Sequence, residues 1–137
     1  MKYIIYADNA ATTKLDPDAF EVMKEILSEE YANPSQSYSF SKHSRELLKQ
    51  ARKEIAEYIN AEPDEIYFTS GGTESDNWAV KGAAEYFGRS KAVLCSKIEH
   101  HAVLNSCESL EVQGYPVAYI PCDSQGIITP DNLHGVI

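Results

Sequence analysis

Apolar residues recur along this chain at two different periods, first helical and then mixed. Phe20, Met23, Ile26 and Leu27 fall on one helical stripe and predict a helix over 17–29. Asp16-Pro17 precedes that stripe as a capping residue followed by proline at the first helical position. Leu47, Leu48, Ala51, Ile55 and Ile59 predict a longer helix over about 41–59, broken by Glu62-Pro63-Asp64. After it, short β-prone runs alternate with helical ones. The pattern predicts strands at 66–69, 91–96 and 117–122, a helix over 74–87 ending near Gly88, and another over 101–113 closed by Gly114. Residues 2–7 are also β-prone, 9–13 read as a small-residue loop, and 31–40, rich in Asn, Pro and Ser, as an ordered loop. Residues 129–133 look like the start of one more helix. Strands alternating with helices predict an α/β fold of three layers, α/β/α, around a mostly parallel sheet. Ligands of such sheets bind beyond the carboxyl ends of the strands.

Composition narrows the classes of function. Hydrophobic residues make up 43% of the 137, enough for a core. Twelve basic side chains against 21 acidic ones leave a formal net charge of -9, with no dense basic cluster. Neither nucleic acid nor an anionic membrane is an expected partner. No apolar run is long enough to span a bilayer, and Asp8 follows Ile4-Ile5 too soon for a secretory leader. Cys95, Cys107 and Cys122 are widely spaced, odd in number and free of any CxxC pair. That predicts neither a zinc site nor a disulfide framework, and it fits a reducing cytoplasm. Each cysteine reads as a small core hydrophobe, Trp78 reads as core, and the four histidines show no metal spacing.

The candidate chemistry gathers at two predicted strand ends. Phe68-Thr69-Ser70-Gly71-Gly72-Thr73-Glu74-Ser75-Asp76-Asn77 runs from a β-prone segment through two glycines into a helix. Backbone N–H groups and a hydroxyl at a helix N-terminus favour an anion, and glycines let backbone approach it closely. The turn reads either as a phosphate cradle or as an ordinary strand-to-helix turn with a capping box, Thr73 with Asp76. It is neither a Walker A loop nor a three-glycine dinucleotide turn. Glu99-His100 occupies the next strand end, one unit on, so the two turns can converge on one ligand. A histidine there is either a capping residue or a proton carrier.

Four segments together carry a more specific signal: the glycine turn, Tyr6-Ala7-Asp8-Asn9-Ala10-Ala11-Thr12-Thr13, Asn33-Pro34-Ser35, and Ser96-Lys97-Ile98-Glu99-His100-His101-Ala102-Val103. In kind, order and spacing they resemble the cysteine desulfurases of the class V aminotransferase group of pyridoxal-phosphate enzymes, over essentially the whole chain. The resemblance implies the large cofactor-binding domain of that fold, with an N-terminal segment at 1–60 and part of the large domain at 61–137. It implies that Gly72 and Thr73 bind the phosphate of pyridoxal 5'-phosphate. It also implies that His100 stacks on the pyridine ring as a cofactor-binding and catalytic residue, and that the Asn9 and Asn33 loops reach the substrate end. The implied reaction takes L-cysteine to L-alanine with sulfur left as an enzyme persulfide. The implied partners are a second copy of the chain and an iron–sulfur scaffold or other sulfur acceptor. The chain departs from the family at Tyr38, where histidine is usual, and at Ser41, where glycine is usual. No lysine lies in the family's Ser-x-His-Lys setting, and none of the three cysteines matches its persulfide carrier. The resemblance therefore implies an N-terminal fragment, inactive alone. The alternatives are a selenocysteine lyase, another class V aminotransferase, a non-catalytic fragment, or a phosphate-binding module for another ligand.

Overall fold

A computed structural model describes residues 4–136. The chain divides into two compact units, one ending at Tyr67 and the other beginning at Phe68. The first unit holds two long helices. Helix α1, Pro17–Glu29, starts where Asp16 Oδ1 accepts the N–H groups of Asp18 and Ala19, at 2.9 and 3.3 Å. Helix α2, Lys42–Ile59, stops at Asn60, which turns left-handed at φ 55 and frees the chain for Pro63. Ala56 and Ser44 of α2, with Ser41 and Ala32 before it, are the buried residues of this unit among those described. Residues 4–7 form no strand, and Ile4 and Ile5 are 89% and 91% exposed.

The second unit is built around one βαβ crossover. Helix α3, Gly72–Phe87, ends at Gly88 (φ 73) and leads into strand β1, Val93–Ser96. Helix α4, His101–Val112, follows, then strand β2, Val117–Ile120, and a short helix α5, Pro130–His134. The strands pair in parallel with Val93 opposite Val117 and Ser96 opposite Ile120. Helix α4 packs on both strands and on α3. Its Ala102, Ser106, Cys107 and Leu110 form the core with Cys95 of β1 and Ala84 of α3.

Three expectations need correction. Residues 66–69 are not a strand. A strand exists only through a neighbour that takes its N–H and C=O groups. Here the Ile66 carbonyl accepts from Arg52 Nε at 3.2 Å and the Ile66 N–H donates to the Pro63 carbonyl. Trp78 is 55% exposed, because the core of this unit lies around α4 rather than on Trp78's side of α3. The paired length of 117–122 stops at Ile120, since Pro121 has no N–H to continue the ladder, and Cys122 lies just beyond.

Candidate functional site

The glycine turn is held from within. The Thr69 hydroxyl lies 2.7 Å from that of Ser75 and 3.2 Å from the Gly71 carbonyl. Glu74 reaches back one turn, where its Oε2 accepts the Ser70 N–H at 2.6 Å and the Ser70 hydroxyl at 2.8 Å. Those bonds, the backbone one foremost, hold the Glu74 carboxyl below its ordinary range. These braces leave the start of α3 bare. Gly71 is the N-cap, so Thr73 lies inside the helix and the Thr73–Asp76 capping box does not form. No side chain caps α3, and among the described residues nothing accepts from the N–H groups of Gly72, Thr73 and Glu74 or from the Thr73 hydroxyl. A methyl group built on Gly72 would meet no atom within 4 Å. The result is a cluster of unused donors, exposed at the positive end of a 16-residue helix dipole.

His100 sits at the corresponding point of the next unit. It is the N-cap of α4, with Nδ1 accepting the Ala102 N–H at 3.1 Å. That bond fixes the ring's rotation and assigns the neutral proton to Nε2. Connectivity puts the two turns at one end of the sheet. The last turn of α3 borders a cavity shared with Val93, the first residue of β1, so its first turn lies towards the opposite end. His100 follows the carboxyl end of β1, and α3 and α4 pack on each other.

Asn9 and Asn33 belong to the first unit, and both are exposed in turns. The Asn9 turn is closed by the Ala11 N–H to the Asp8 carbonyl at 3.1 Å. Asn33 Oδ1 accepts the Ser35 N–H at 3.0 Å, an Asx turn, and the Asn33 carbonyl accepts the Gln36 N–H. Residues missed in the sequence are the braces: Thr69, Ser75 and Glu74. The Ser70 to Glu74 spacing of four is a readable signal for the last of these, whereas the hydroxyl pair has none.

Cys95 and Cys107 lie buried together between β1 and α4. Burial first, then the neighbouring Cys107, pushes the Cys95 thiol up to about 12, the behaviour of an inert core thiol. Among the described residues no group of His, Cys, Asp and Glu is arranged to hold a metal, and no helix is long and apolar enough to cross a membrane.

The sequence matches the Aminotransferase class-V family over residues 5–137. It is 47% identical over 135 residues to a cysteine desulfurase IscS of Methanosarcina thermophila, covering 97% of this chain and 33% of that protein. A cysteine desulfurase IscS of Dictyoglomus turgidum is 46% identical over 134 residues, with 97% and 34% covered. The chain thus spans about a third of the length of these relatives. Among solved structures, a NifS-like protein superposes with a TM-score of 0.87 at 35% identity, over 95% of this chain and 36% of that one. SspA in complex with cysteine gives 0.86 at 38%, over 96% and 38%.

Proposed function

Because the chain belongs to the class-V aminotransferase family, we propose that it supplies the phosphate-holding part of a pyridoxal-phosphate-dependent cysteine desulfurase. The observation that carries the reading is the bare start of α3, where three N–H groups, the Thr73 hydroxyl and the open space before Gly72 fit a phosphate ester. A phosphate there replaces the missing cap. When bound, pyridoxal phosphate supplies an electron-withdrawing ring that weakens bonds at the α-carbon of an amino acid. This chain's residues bind and orient. Gly72 and Thr73 hold the phosphate, while Glu74, engaged by Ser70, keeps its charge turned to the loop. His100 stacks beside the ring. With Nδ1 accepting from Ala102, its Nε2–H is the donor left to face a ligand, and the ring takes up a proton only when Nδ1 releases Ala102. Asn9 and Asn33 serve the substrate end.

Relatives named cysteine desulfurase and a related structure holding cysteine support L-cysteine as the substrate; the products proposed with it are alanine and enzyme-bound sulfur. The holding lysine and the sulfur-carrying cysteine come from sequence outside these 137 residues. A homodimer, a sulfur-accepting partner such as an iron–sulfur scaffold, and a reducing cytoplasm complete the proposal. Three free thiols suit such a setting. The test is alanine release from L-cysteine by the full-length protein reconstituted with pyridoxal phosphate, with an added thiol reductant to free the enzyme-bound sulfur as sulfide. Turnover of cysteine supports the reading. A protein that binds the cofactor but leaves cysteine intact while consuming another amino acid overturns the substrate.

A further inference from the structure

The loop carrying Asn33 is held by polar bonds more than by packing. Ala32 and Pro34 border an open cavity of ≈ 290 Å³ with Ile26, Leu47, Leu48 and Ala51, so the apolar support beneath the loop is incomplete. Two side chains from the start of α2 take up the work. Arg45 Nη1 donates to the Pro34 carbonyl at 3.1 Å and to the Gln36 carbonyl at 2.6 Å. Ser41 is fully buried, and its hydroxyl proton is shared between the Gln36 carbonyl at 2.7 Å and the Tyr38 carbonyl at 2.9 Å. The Gln36 carbonyl, with two lone pairs, accepts from both. Ser41 has φ -87, a conformation any residue adopts, so a glycine here would need no change of backbone angle and would remove the hydroxymethyl group that carries these bonds.

We propose that Arg45, assisted by Ser41, is a positioning residue that latches the Asn33-Pro34-Ser35 turn and so sets where Asn33 meets the substrate. The inference rests on the reading of Asn33 as a substrate-side residue. The guanidinium grips the turn on both sides of Ser35, at Pro34 and Gln36. Ser35 donates to Asn33 Oδ1 and Gln36 to the Asn33 carbonyl. Holding those two residues therefore holds the Asn33 amide, whose Nδ2 donors remain uncommitted among the described residues.

The test uses the full-length protein with Arg45→Met, which keeps the stem and removes the donors, Arg45→Lys, which restores one donor group, and Ser41→Ala. Amide hydrogen exchange at Ser35 and Gln36 is expected to quicken about tenfold in Arg45→Met, less in Arg45→Lys and Ser41→Ala, with the core of α4 unchanged. KM for L-cysteine should rise about fivefold with kcat within about twofold, and Arg45→Met should add nothing once Asn33→Ala is present, as for two residues acting through one contact. Unchanged exchange at Ser35 and Gln36 overturns the latch, whatever the kinetics. Lower kcat at constant KM marks lost folded protein and overturns the positioning role. An Asn33→Ala variant with unchanged KM overturns the substrate reading of the turn and with it the positioning role, while exchange still decides the latch on its own.

Discussion

His100 holds two tasks that one substitution would confuse. It caps α4 through Nδ1, and loss of a cap costs about 1 kcal/mol. Asparagine keeps a capping oxygen but removes the ring. His100→Asn is therefore expected to melt close to the parent while losing at least about a hundredfold in turnover. His100→Ala should lose both, so melting curves beside alanine release separate the tasks. Thr73→Ala removes a hydroxyl with no partner among the described residues, so the fold should not notice. Cofactor affinity, read by absorbance titration, should weaken about tenfold or more, one charge-assisted bond's worth. Cys95 predicts a pH effect. Its folded thiol stays protonated up to about 12, whereas an unperturbed thiol ionises near 9.0. The unfolded chain therefore releases this proton first, and stability present in full below 9.0 is lost as pH climbs towards 12. Denaturant midpoints measured across that window should fall, and fall less in Cys95→Ala. Glu74 acts in the opposite sense: its lowered pKa favours the fold at neutral pH, and that contribution fades as pH drops through the acid range.

Elements whose causes are local were readable before any coordinates. The predicted helix over 17–29 is α1, because Asp16, Pro17 and the stripe behind them lie within one stretch of chain. The predicted strand at 66–69 is absent because pairing needs a neighbour, and no window of sequence contains one. Helix α3 began two residues earlier than the predicted 74, at Gly72, and this shift moved Thr73 from cap to first turn. That placement gives a prediction at the scale of the element. In Gly72→Ala the helix loses a glycine, so stability should hold or rise by about 0.5 kcal/mol. The added methyl enters the open space before the helix, so phosphate affinity should drop. Thermal melting and cofactor titration should thus move in opposite directions. If both fall together, the space before Gly72 is needed by the fold rather than by a ligand.

At the scale of the molecule, much apolar surface lies open: Leu94 on the sheet, Trp78 and Phe87 on α3, Phe20 and Leu27 on α1. A parallel sheet is ordinarily covered on both faces, and the relatives are about three times longer. The 137-residue polypeptide by itself should therefore bind a hydrophobic dye, self-associate in sedimentation and release no alanine from cysteine. A dye-silent monomer would show that these faces need no cover. Sequence alone determined the family, through the resemblance of four motifs in order, and it determined the helices and the place of the glycine turn, because capping, periodicity and glycine placement act over a few neighbouring residues. It could not determine that the Thr69 hydroxyl pairs with that of Ser75, or that Arg45 spans nine and eleven residues to grip the Asn33 loop. Tertiary structure decided those, because a hydrogen bond depends on where folding brings a donor and an acceptor. For Arg45 the partners are ordinary backbone carbonyls, which no residue type marks in advance.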